Sequence, residues 1–152
     1  MGNWIQITPE AIEAKLSGPE LNAIRTVAKA PDQEDPVPEA IERVVAEVRG
    51  YVAACRENRT SSNVQEIPAN LQDAALAMIR YRIASRLPAK SFMTDERVDA
   101  NRQAIALLKD VAACRFRIPL PDDVSDDQFG GTGVALPKKN KPHFGRDALD
   151  GL

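Results

Sequence analysis

Histidine is nearly missing from this chain: of its 152 residues only His143 is one. Nucleophilic catalysis by a triad needs a base held rigidly against its nucleophile. His143 stands between Pro142 and Phe144 in a polar tail, so it is given no catalytic role. Cysteine is scarce too. Cys55 and Cys114 are far apart, neither belongs to a pair with zinc-ligand spacing, and one histidine cannot complete a zinc site. Both fall on apolar positions of helical patterns. They are read as two buried thiols of a reducing compartment, with a disulfide or a metal pair as the alternative. No cofactor and no metal is expected. Apolar runs are short: none approaches the ~20 residues of a membrane helix. The opening Met1-Gly2-Asn3-Trp4-Ile5 has neither a basic nor an apolar signal region, which gives a cytoplasmic expectation. Gly2 is not read as a myristoylation site, because Gln6 stands where Ser or Thr is needed. Charge is close to balanced, with a formal net of −2, so nothing in it points to a polyanion or a membrane surface.

What the chain does contain is helical periodicity punctuated by proline. Thr8-Pro9-Glu10 is a helix start, with a capping hydroxyl, a proline at the first position and an acid in the first turn. Ile12 and Leu16 give that helix an inner face, and Ser17-Gly18-Pro19-Glu20 stops it and starts a second, carrying Leu21, Ile24 and Val27. Residues 31–38 hold three prolines and are read as a loop. From Pro38 a long amphipathic helix follows, with Ile41, Val44, Val45, Val48, Val52 and Cys55 on one stripe and Gly50 inside it. That glycine marks either a close backbone approach or simple tolerance. Residues 58–67 lose the period and read as an exposed loop with room for a short extended piece. Pro68 opens a helix to about residue 87 that is apolar nearly all round, hence central. Arg80, Arg82 and Arg86 crowd its second half, so that half is expected to reach a surface. Thr94-Asp95-Glu96 starts the last long helix, which carries Val98, Ile105, Leu108 and Ala112 and ends near Arg115. The fold expected is all-α: a small bundle of about five helices, two short and three long, over residues 1–118.

Beyond Ile118 the composition changes to clustered glycine, proline and charge, so residues 119–152 are read as a polar arm. Asp122, Asp123, Asp126 and Asp127 lack the alternating ligands and distal glutamate of a calcium loop. Gly130-Gly131-Thr132-Gly133 follows no strand and matches no phosphate loop. The end of the arm regains apolar residues, and Phe144, Arg146, Asp147 and Leu149 are read as a partner-docking peptide. Arg82 and Arg86 lie one turn apart, with Arg80 on another face. Without interleaved aromatics the three suit pairing with carboxylates, within or between subunits, better than recognition of nucleic acid.

The order of these features resembles the head–tail connector, or neck adaptor, proteins of tailed phages, in the branch typified by Mu-like prophages. Trp4-Ile5-Gln6-Ile7-Thr8-Pro9-Glu10 is similar to the family's opening, and Val48-Arg49-Gly50-Tyr51-Val52 to its long-helix signature, where an acid often replaces Arg49. Ile67-Pro68 with Leu71, Ala75 and Arg80-Tyr81-Arg82-Ile83 is similar to its second long helix, and Arg97 to Ile118 to the helix that follows. Phe144-Gly145-Arg146-Asp147-Ala148-Leu149 is similar to the branch's terminal segment. The chain departs from the pattern after Tyr51: Arg56 to Ser62 stand where relatives carry an Arg-Tyr-x-x-Pro-like segment. The resemblance implies a non-enzymatic structural part whose isolated subunits can be monomers and which forms rings of about twelve copies on the portal protein. Its further partners are a neck or tail-completion protein, with DNA only passing through the channel and no membrane involved. It implies assembly in the host cytoplasm and a final place in the virion neck. Arg80, Arg82 and Arg86 become candidate subunit or channel contacts. A helical regulatory or nucleic-acid-binding module is the alternative.

Overall fold

The structure, a computed structural model, describes residues 2–124; the docking peptide expected at Phe144 to Leu149 lies outside them. The chain runs β1 (Trp4–Gln6), α1 (Pro9–Glu13), α2 (Gly18–Lys29), α3 (Pro36–Ala54), β2 (Glu66–Pro68), α4 (Gln72–Arg86) and α5 (Asp95–Ala112). Single 3₁₀ turns stand at Ala69–Leu71 and Lys90–Phe92. The all-α expectation holds, with five α-helices and one small two-stranded sheet among the described residues.

Local chemistry sets most boundaries. Thr8 caps α1, its hydroxyl accepting from the Ala11 N–H. Thr94 caps α5 in the same way, accepting from Arg97 N–H at 3.3 Å. The long helix α3 starts earlier than its prolines suggest. Asp35 is its N-cap, accepting from the Val37 N–H, and Pro36 and Pro38 both fit inside the first turn, where N–H groups have no helical partner. Part of the expected 31–38 loop is therefore helix, with Pro36 and Val37 buried. At the other end the side chain of Asn58 closes α3 by donating to Val52 O at 3.1 Å.

Helix α4 is central, packed against both α3 and α5. Ala74, Ala75, Leu76, Met78, Ile79, Ile83 and Ala84 are all buried, on more than one side of it. Its alanines keep neighbouring helix axes close. It begins at Gln72, after a 3₁₀ turn, because Pro68 belongs to β2. That strand pairs antiparallel with β1 in the register Trp4↔Pro68, Ile5↔Ile67, Gln6↔Glu66. The pair closes one end of the core with Trp4 and Ile67, both buried.

The cysteines do not remain free thiols. Cys55 and Cys114 form a disulfide across Cα atoms 5.4 Å apart, which corrects the expectation of two buried thiols. The reason is the way α5 ends. The helix stops at Ala112, and Cys114 takes a positive φ of 61°, which turns the chain out of the helix toward the end of α3. Cys55 is buried and Cys114 is exposed.

One buried ion pair ties the N-terminal helices to the last one. Glu20 Oε2 accepts from both the N–H and the hydroxyl of Ser17, at 2.9 and 3.0 Å, and the other carboxylate oxygen meets the Arg97 guanidinium of α5. Burial pushes the Glu20 carboxyl up, but the Arg97 and Ser17 hydrogen bonds outweigh it and bring the carboxyl from 4.5 down to about 2. A carboxylate whose folded value is depressed adds stability above its unfolded value and loses it as pH falls through the folded one. Unfolding followed by circular dichroism should therefore show stability dropping as pH is lowered from 4.5 toward 2. Glu20→Gln should flatten that limb and cost about 3 kcal/mol at neutral pH, since it leaves Arg97 buried without its charge partner.

Gly50 resolves the other way from a close approach. A Cβ built there meets nothing within 4 Å, and the residue is exposed on α3. Gly50→Ala should raise unfolding stability by about 1 kcal/mol, read as a shifted denaturant midpoint with an unchanged slope.

Candidate interaction surfaces

Three surface features are built by the elements above. The first is the face where α3 and α4 exchange charge. Glu47 of α3 pairs with Arg82 of α4, and Glu39 pairs with both Arg86 of α4 and Arg43 one turn along its own helix. The Arg86 hydrogen bond, then the nearby Arg43 charge, hold the Glu39 carboxyl below its ordinary range. These pairs are partly or well exposed, so each adds little to stability. Their effect is on the surface field: the charges of Arg82 and Arg86 are matched within the chain. Arg80 lies on another side of α4, as the spacing required, and its Nε is buried without a hydrogen-bond partner among the described residues.

The second feature is a groove of about 500 Å³ between the β1–α1 junction and α3. Ile7, Pro9, Pro38, Ile41 and Val45 give it an apolar floor, and Val64 stands at its rim. Val64 is 72% exposed, the one exposed large hydrophobic side chain among the described residues.

The loop that presents Val64 is held from beneath. Arg49 of α3 donates through Nη2 to Ser61 O at 2.7 Å and through Nη1 to Asn63 O at 3.0 Å and Glu66 O at 2.7 Å. Its guanidinium also lies over the Trp4 ring, 5.6 Å from the centroid. Inside the loop, buried Ser61 donates to Glu66 Oε2 at 2.6 Å and Asn63 Nδ2 reaches Glu66 Oε1 at 3.3 Å. A stretch that reads as plain loop is thus a pinned one. The signal in the sequence was an arginine within an otherwise apolar helix segment, Val48-Arg49-Gly50-Tyr51-Val52.

The third feature is where the described chain ends. Residues 115–124 run back over the body: Trp4 Nε1 donates to Pro119 O at 3.0 Å and Asn70 Nδ2 to Arg117 O at 3.1 Å. Two of the tail's acids serve as acceptors for backbone groups, Asp122 for the Asn3 N–H and Asp123 for the Ser62 N–H. Hydrogen bonding from Ser62, side chain and backbone, holds the Asp123 carboxyl below its ordinary range. Val124 lies against a second groove, of about 490 Å³, lined by Ala53, Arg56, Asn58, Arg59 and Thr60. The last described residue, Val124, thus lies beside the 58–60 segment, and Phe144, Arg146, Asp147 and Leu149 lie outside the described residues. Among the described residues no helix is long and apolar enough to cross a membrane.

Arg49→Ala should cost about 2–3 kcal/mol, because three carbonyls lose a charged donor. Amide exchange should speed up first over residues 61–66. Arg49→Lys should recover less than half of the loss, since one ammonium cannot reproduce the planar fork.

A family model described as Bacteriophage Mu, Gp36 matches residues 7–135 of the chain. No curated protein and no solved structure matches it with significance.

Proposed function

The chain belongs to the bacteriophage Mu Gp36 family, and from that premise we propose that this Mu-like phage protein is a head–tail connector adaptor. It is a non-enzymatic structural part. It docks as a ring on the portal, links the head to the tail and passes DNA through its channel without holding it. It assembles in the host cytoplasm and ends in the virion neck. Its partners are further copies of itself, the portal protein and a neck or tail-completion protein.

The observation that carries this reading is the family match, which runs from the start of the helical body past the last described residue. The ordered motifs from Trp4 to Leu149 support the connector role by resemblance. The surfaces are consistent with it. An exposed Val64 beside an apolar groove offers a contact for a neighbouring protein. Arg82 and Arg86, each already matched by a carboxylate, present a weaker field to phosphates than bare arginines do. A channel contact of that kind lets DNA slide. In the proposed role the docking peptide is Phe144 to Leu149, about 20 residues along the sequence from Val124.

Electron microscopy of the protein mixed with the portal of its own phage tests the proposal: added ring density beneath the portal is expected. Deleting residues 137–152 should leave the helical circular-dichroism signal intact and abolish docking. A truncated chain that joins the portal with unchanged affinity removes the arm from the mechanism. If no density joins the portal, and DNA binding falls steeply between two salt concentrations, the chain is a nucleic-acid-binding module instead.

A further inference from the structure

The disulfide has a third group beside it. One ligand atom from each of Cys55, Glu57 and Cys114 lies within 4.8 Å of the other two, with Cys55 buried and Glu57 and Cys114 exposed. Spacing rules miss this trio, because its members come from two helix ends whose cysteines are 59 residues apart in sequence. We propose that reduction of the disulfide converts this cluster into a binding site for a thiophilic divalent cation of the zinc class. Its ligands are the Cys55 and Cys114 thiolates and the Glu57 carboxylate.

The geometry is close to what such an ion takes. Tetrahedral zinc holds thiolates at about 2.3 Å and carboxylate oxygen at about 2.1 Å, which puts ligand atoms roughly 3.5–3.8 Å from one another. The three atoms already sit inside a span of 4.8 Å. The two sulfurs must part, and Cys114 is free to do so: it is exposed and follows the end of α5, so its side chain swings without disturbing the core. Glu57 and Cys114 face solvent, which gives the ion an entry path and leaves its fourth position to water. Two thiolates select a soft or borderline ion over magnesium or calcium, which prefer all-oxygen shells.

The two states exclude each other. In the disulfide neither sulfur is a thiolate, so Glu57 alone faces the ion. Reduction by a phosphine breaks the S–S bond, forms two thiols and leaves phosphine oxide, the oxygen and the two protons coming from water. In a cell a low-molecular-weight thiol supplies the electrons and ends as its own disulfide. Each cysteine then releases its proton to solvent as the cation binds. Either cross-link fastens the end of α3 to the turn after α5, so the metal does in a reducing compartment what the disulfide does in an oxidising one.

The full chain, reduced with a phosphine under nitrogen and titrated with Cd²⁺, tests this through the ultraviolet thiolate-to-metal absorption. The reduced wild type should take up one equivalent, with a rise in melting temperature, and the disulfide form should show no band. Cys114→Ser should lose the band. Glu57→Gln, which keeps both thiols and so guards against a folding defect in the cysteine variant, should keep it at about tenfold or more weaker affinity. A reduced wild type without the band, a band that survives Cys114→Ser, or unchanged affinity in Glu57→Gln overturns the proposal.

Discussion

Arg49 holds three separate stretches of chain together. It stands on α3, its fork collects three carbonyls of the 61–66 segment, and its flat face covers Trp4 of β1. Trp4 in turn hands its indole N–H to Pro119 O, in the segment that follows α5. The guanidinium thus joins the long helix, the 61–66 segment and the N-terminal strand, and Trp4 carries the link on to the returning C-terminal segment. Carbonyls in a loop have no ladder of their own, and a charged donor is the strongest way to satisfy several at once. The rim of the apolar groove, where Val64 projects, inherits its position from that arrangement.

The opposite end of the bundle is fastened by a different device. Glu20 and Arg97 are both largely out of water, and Ser17 supplies two more donors to the carboxylate, so the charge is well matched. Arg97 also donates to Phe92 O at 2.8 Å, which fixes the short 3₁₀ connection between α4 and α5. Between these polar anchors lies an aliphatic core of Val44, Val48, Val52, Leu71, Ile79, Ile83, Leu108 and Val111, all nearly or fully buried. The β-branched valines of α3 contribute little to helix propensity, so packing against α4 and α5 keeps that helix formed.

The helices were legible because their signals are local. The valine stripe of α3, the all-round apolar α4 and the capping threonines Thr8 and Thr94 each declare themselves within a few residues. What escaped depends on residues distant in sequence. Three-residue strands carry almost no period, and pairing Trp4 with Pro68 is a fact about the whole fold. The start of α3 is hidden because prolines signal a break, although the first turn of a helix accepts them. The disulfide needed the positive φ at Cys114, and the buried role of Glu20 needed Arg97, 77 positions away. Of the interaction surfaces, the arginine positions on α4 could be read in advance, whereas their carboxylate partners on α3 and the groove beneath Val64 could not.

The contact between Trp4 and Pro119 also orders events in time. During synthesis the chain emerges N-terminus first, at roughly 10 residues per second. Trp4 then waits on the order of ten seconds before its partner carbonyl exists. Until Pro119 has been made, a nascent chain on the ribosome has an unsealed N-terminal strand, so the β1 end of the body is the last part to close.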